Sequence, residues 1–181
     1  MPMATADLCD EFGAEVRVAE PLFRDWGGSV AFAGPVETVR VFEDNALVRR
    51  VLESPGRGRV LVVDGGGSLR SALVGGNLAA LAHRNEWTGL LVHGCVRDTE
   101  ELRSVAVGVK ALNAVPRKSG KTGAGEQGVP VTFAGVTFTR GCHLYADRDG
   151  VVVADRDVLT RTEGRNDGIR EGRNEERRKE R

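Results

Sequence analysis

Neither sign of charge predominates in this sequence. Lys and Arg number 26 and so do Asp and Glu, so the basic excess that marks most binders of nucleic acid or anionic membranes is missing. No apolar run approaches the roughly 18 residues of a membrane span, and no basic segment followed by an apolar stretch stands near the N-terminus. Cysteine is scarce: Cys9, Cys95 and Cys142 are odd in number, widely spaced and free of any CxxC pair. That excludes an encoded disulfide framework or structural zinc site. These absences predict a soluble cytoplasmic protein with no nucleic-acid and no membrane partner. Glycine, by contrast, is abundant at 24 of 181 residues, nearly twice the roughly 7% of average usage, which predicts many tight turns or close backbone approaches to a ligand.

A chain of 181 residues with 40% hydrophobic residues buries one core rather than two. We read residues 1–158 as a single α/β domain and residues 159–181 as a charged, solvated and disordered C-terminal tail, because beyond Thr160 only Ile169 is aliphatic. "TADLCDEFG" predicts a short helix with Thr5 as cap and Gly13 as stop. "SVAFAGPVETVRVF" predicts two strand pieces around a bend at Gly34 and Pro35, and "DNALVRRVLESPG" a helix capped by Asp44. "RVLVVD", "NLAALAHRNE" and "GLLVHG" then spell strand, helix, strand. Such a crossover makes the strands parallel, so the loops after Asp64 and Gly94 open on one sheet edge and face one site. "VGVKALNAV", "VPVTFAG", "VTFTRG", "HLYAD" and "GVVVAD" are strand candidates, with "DRDG" a hairpin turn. The second half is therefore mostly β.

Several motifs invite ligands. In "VVDGGGSLRSALVGG" a G-x-G-x-x-G set begun at Gly65 finds Gly67 and then Arg70, so the dinucleotide fingerprint fails. A methyltransferase-type loop lacks its acidic residue, since "LLVHG" ends in His93 and Gly94. "SGKTGAG" ends like a P-loop, but the first glycine of that motif falls on Val115. That segment reads as a flexible or substrate-facing loop. His93, Cys95, His83 and His143 lack a third metal ligand at sensible spacing and read as packing residues. "HGCVRDTEEL" is more informative, and two readings of it stay open. Asp98 and Glu101 resemble a helix capping box, with Arg97 in a surface ion pair. Alternatively, Arg97 offers a planar fork to a carboxylate, Asp98 holds a hard divalent cation, and amides at the helix start near Gly75 to Leu78 bind an anionic oxygen. Those elements define an α-keto acid site.

"DNALVRRVLE", "VLVVDGGGSLRSALVGGNLAALA", "GLLVHGCVRDTEELR", "VGVKALNAVPRKS" and "HLYADRDGVVVA" resemble the regulator of ribonuclease E activity A (RraA-like) family, including its class II 4-hydroxy-4-methyl-2-oxoglutarate aldolases. The aldolase pattern G-x20-R-D-x2-[ED] is met by Gly76, Arg97, Asp98 and Glu101. The resemblance implies a β/β/α swivelling-domain fold and a homo-oligomer, a trimer. It implies that Gly75, Gly76, Asn77, Leu78 and Arg97 bind a small α-keto acid substrate, that Asp98 anchors Mg²⁺ or Mn²⁺, and that Arg97, Asp98 and Glu101 are catalytic. It further implies metal-dependent cleavage to pyruvate, with oxaloacetate decarboxylation through the same enolate. The family also implies an alternative, a non-catalytic regulator that binds a ribonuclease. The regulator proper lacks the acidic residue at the position of Glu101, so this chain leans toward catalysis. It departs from the family at Cys142, where Gly-Asp is usual and this chain has Gly141 and Cys142.

Overall fold

The computed structural model describes residues 3–160. Helix α1 (Thr5–Phe12) leads into strands β1 (Val16–Val18), β2 (Arg24–Asp25) and β3 (Phe32–Arg40). There follow α2 (Ala46–Leu52), β4 (Val60–Asp64), β5 (Ala72–Val74), α3 (Gly76–Arg84), β6 (Gly89–Val96), α4 (Thr99–Ser104) and β7 (Gly108–Ala114). The remainder is strand: β8 (Glu126–Gln127), β9 (Val131–Phe133), β10 (Val136–Phe138), β11 (His143–Ala146) and β12 (Val151–Ala154).

One sheet of order β1-β12-β11-β3-β4-β6-β7-β2 organises the molecule. Strands β3, β4, β6 and β7 are parallel neighbours, as the strand, helix, strand pattern requires. Because both of their faces are covered, β4 and β6 carry near-continuous apolar runs rather than an alternation. Along β4 the side chains still divide by face: Leu61 and Val63 join a core with α2, α3 and α4, while Val60 and Val62 join one with the β9–β10 hairpin. The result is the β/β/α arrangement, a helical layer and two β layers in one α/β domain.

The bend expected at Gly34 and Pro35 is a change of partner within one continuous strand. Residues 32 to 35 of β3 pair antiparallel with β11, and residues 36 to 40 pair parallel with β4. Proline supplies no amide to a ladder, which suits the place where pairing is handed over. Two expected caps are also corrected. Ala4, not Thr5, holds the N-cap position of α1; Thr5 is buried inside the helix, and its amide and hydroxyl both donate to Asp147 of the hairpin turn, at 2.8 and 2.7 Å. Asn45 holds the N-cap position of α2, while the Asp44 carboxylate accepts the Ala46 amide from one residue earlier.

The DRDG segment closes the β11–β12 hairpin, and β1, absent from the sequence reading, pairs with β12. Among the described residues no helix is long and apolar enough to cross a membrane. The tail expected from residue 159 lies outside the described residues except at Leu159 and Thr160, which still donate to Asp157.

Candidate active site

Parallel pairing sets Asp64 at the end of β4 beside His93 of β6. Short β5 then adds to the far end of β6, and α3 starts immediately after it. The Arg97 amide donates to the Val74 carbonyl at 3.0 Å, which locks the chain leaving β6 against the chain entering α3. Arg97 and Asp98 therefore reach the N-terminus of α3.

The capping-box reading of Asp98 is not met. It occupies the N-cap position of α4, yet its backbone is left-handed (φ 57, ψ 49) and its side chain makes no capping bond there. The carboxylate turns instead to α3, accepting the Gly76 amide at 3.3 Å and lying 3.7 Å from Arg97 Nε. A left-handed non-glycine residue is held at a cost by its surroundings. Here that geometry delivers a carboxylate to another helix's start, not a capping box.

The glycines of the motif make room for this. A Cβ on Gly75 would stand 2.6 Å from Asp98 Oδ2, and one on Gly76 would stand 2.0 Å from Glu101 Oε2. Gly75 is extended and caps α3 without a side-chain bond. The Leu78 amide donates to the Gly75 carbonyl and the Gly76 amide to Asp98, so of the first α3 amides only that of Asn77 is without a partner among the described residues.

A cleft of about 90 Å³ opens here, lined by Gly75, Asn77, Leu78, Arg97 and Asp98 of the expected set. Gly76 and Glu101 pack on each other and do not line it. Sequence reasoning missed Asn45, Arg49 and Lys118 in the wall; Ser119 and Lys121 bring the SGKTGAG segment into it. Of the cations Arg49, Arg97, Lys118 and Lys121, only Arg97 joins an ion pair among the described residues. Four cations facing one lining carboxylate suit an anionic ligand. Asp44 holds the loop in place: burial would raise its carboxyl, but the amides of Thr122, Ala46 and Gly123 outweigh burial and hold it below its ordinary value.

The donor set bears on a cation. Among the described residues no three His, Cys, Asp or Glu side chains converge. One half-exposed carboxylate, Asp98, fits a hard cation of the magnesium class, which keeps several waters and shares its remaining ligands with substrate.

The Gly65 to Gly67 loop holds no phosphate in this fold. Its amides are committed: Gly65 and Gly67 donate to the His93 carbonyl, both at 3.1 Å, and Gly66 to Asp64 Oδ1 at 3.0 Å. His93 stacks on Phe133 at 4.6 Å and Cys95 is buried, both as packing residues. Cys142 is buried too, and burial pushes its thiol up.

Comparison with known proteins adds a family. The model described as RraA-like, Aldolase/RraA, matches residues 5–153. A protein of Alkalilimnicola ehrlichii named "Putative 4-hydroxy-4-methyl-2-oxoglutarate aldolase" is 60% identical over 159 residues, covering 88% of this chain and 99% of its own length. The solved structure of the RNA-processing inhibitor RraA from Thermus thermophilis superposes with a TM-score of 0.83 at 52% identity, covering 86% of this chain and 94% of that one. A structure described as an S-adenosylmethionine: 2-dimethylmenaquinone methyltransferase from Geobacillus kaustophilus gives a TM-score of 0.87 at 48% identity, covering 88% and 99%. Three functional names thus share one fold, and the site has to decide among them.

Proposed function

This chain belongs to the RraA-like (Aldolase/RraA) family, and from that premise we propose that it is a class II aldolase cleaving 4-hydroxy-4-methyl-2-oxoglutarate to two pyruvates. The observation that carries the reading is the convergence of Arg97, Asp98 and Asn77 at the start of α3 on one cationic cleft. Arg97 binds the carboxylate of the pyruvyl half through its planar fork. The Asn77 amide, at the positive end of α3, takes an oxygen of the same half. Asp98 is the residue that would hold Mg²⁺ or Mn²⁺, and a bound cation supplies electrophilic stabilisation of the developing enolate.

Cleavage breaks the C3–C4 bond as the C4 hydroxyl gives up its proton. The bonding pair passes to the oxygen on C2, releasing one pyruvate and the enolate of the other, which is protonated at C3. Arg97 opposes the charge that builds during this step. Glu101, packed on Gly76, is a positioning residue that fixes the start of α3. Loss of carbon dioxide from oxaloacetate gives the same enolate and should appear as a side activity. We expect a trimer, as in the family.

The test is pyruvate release, coupled to lactate dehydrogenase, from both substrates with Mg²⁺ and with chelator. Wild type should turn over only with metal. Arg97→Ala should lose about 10²- to 10³-fold in kcat, the usual effect of removing one donor to a developing oxyanion. Arg97→Lys should recover little of it, because a point charge does not copy the fork. The similarity to an RNA-processing inhibitor favours a second reading, a ribonuclease-binding regulator. Folded, metal-loaded protein with no turnover, whose binding to a ribonuclease survives Asp98→Ala, would select it. For a methyltransferase the committed amides of Gly65 to Gly67 offer no cradle, and calorimetry should show no S-adenosylmethionine binding.

A further inference from the structure

Strand β5 is three residues long, and its backbone holds up much of the cleft. The Val74 carbonyl accepts the Arg97 amide at 3.0 Å, the Leu73 carbonyl accepts the Asn45 side-chain amide at 3.1 Å, and the Ala72 amide donates to the Arg117 carbonyl at 2.8 Å. Gly75, at the head of α3, follows directly. Wherever β5 sits, Arg97 and the start of α3 go with it.

The ladder alone does not fix so short a strand. Pairing of β5 with β6 shifts register between Ala72 and Val74, and β6 itself shifts against β7 between Val92 and Cys95. At such irregularities pairing is interrupted and a strand bends. The Leu73 side chain, 2% exposed, supplies what the ladder leaves open. Because Asp64 pairs with His93, Gly65 just past β4 stands beside Gly94 within β6. A Cβ on Gly65 would collide with Leu73 Cδ1, and one on Gly94 would stand 3.1 Å from the same atom. Neither glycine has a positive φ, so the backbone does not ask for glycine at either place. The two missing side chains form a seat for one leucine, and close packing makes such a seat sensitive to a single methylene.

We infer that Leu73, seated on Gly65 and Gly94, is a positioning residue that sets β5 and, through the Val74 carbonyl, places Arg97 for the reaction. The inference rests on the aldolase reading. It gives the glycine loop after β4 a share in the chemistry without a ligand of its own.

The experiment exchanges one methylene across the seat. Gly94→Ala adds it: the three atoms nearest the new methyl all belong to side chains, whereas Gly65 also has the His93 carbonyl at 2.8 Å. Leu73→Val removes it with a residue suited to a strand. The measurement is pyruvate release from 4-hydroxy-4-methyl-2-oxoglutarate with Mg²⁺, taken per folded molecule, with the urea midpoint beside it. Each single variant should lose about tenfold in kcat/KM, short of the roughly hundredfold cost of a 1 Å misplacement. Gly94→Ala/Leu73→Val, which conserves volume, should return toward the wild-type value. Single variants that lower the midpoint and keep kcat/KM, or a double variant as slow as the two losses multiplied, overturn this inference and leave the aldolase standing. If Leu73→Val fails to fold, Gly94→Ala decides: a tenfold loss per folded molecule supports the inference and an unchanged kcat/KM overturns it. Absence of turnover by wild type overturns both.

Discussion

Gly65 to Gly67 and Gly75 to Gly76 stand at the same edge of the sheet, one cluster after β4 and the other after β5. In the first, every amide is taken by His93 or Asp64, and the space a side chain would fill is held by Leu73, Phe42 and the His93 ring. In the second, that space is held by Asp98, Arg97 and Glu101, the Gly76 amide goes to the Asp98 carboxylate, and the Asn77 amide next to it has no backbone partner. Glycine in the first lets the chain pack on itself; in the second it lets three charged side chains approach a helix start. What a glycine cluster means is therefore set by what takes its amides and fills its space.

The comparison makes predictions of graded size. Gly76→Ala should be the most damaging, because the new methyl would also meet Glu101 Cβ at 2.7 Å, which no rotation of the carboxylate relieves. Pyruvate release should fall about a hundredfold, as for a misplacement near 1 Å, with the circular dichroism spectrum retained. Full activity in this variant would break the comparison. Gly67→Ala should do the reverse. Its φ of 71 and a 3.2 Å approach to His93 Cε1 should destabilise by about 1–2 kcal/mol, seen in the urea midpoint, with unchanged kcat/KM per folded molecule.

The smallest effect lies outside both clusters and separates general stability from either. Burial works against the Asp157 carboxylate, but bonds from Tyr145, Thr160 and the Leu159 amide outweigh it and hold its pKa at about 2. A depressed folded pKa gives stability that is complete above the ordinary carboxylate range and is lost as pH falls through the folded value. Asp157→Asn should therefore be less stable at neutral pH, and its deficit against wild type should shrink between about pH 4 and about pH 2. A deficit constant across that window would place acid sensitivity elsewhere.

The parallel core was legible because β4, α3 and β6 follow one another and their periodicities are plain. Arg97 and Asp98 were legible because they stand at the exit of a buried strand. Asn45, Arg49 and Lys118 were not, because they reach the cleft through pairings between distant segments: Asp44 with Gly120 and Ala72 with Lys118. No local pattern encodes those bridges. The one available signal was the glycine and lysine content of residues 119 to 125. Thr5 misled for a related reason, since its true partner, Asp147, is 142 residues away.

The pairing of β1 with β12 bears on how the molecule is made. Val18 faces Val152, so 134 positions (152 minus 18) separate them on the chain. At the roughly 5–20 residues per second of translation, the first strand waits on the order of ten seconds for its partner to leave the ribosome. The parallel strands β3, β4, β6 and β7, all complete before residue 115, are free to assemble meanwhile. During that interval Val16 and Leu8, both buried in the finished protein, stand uncovered. The N-terminal segment, made first, therefore takes its place in the sheet only once β12 has been made.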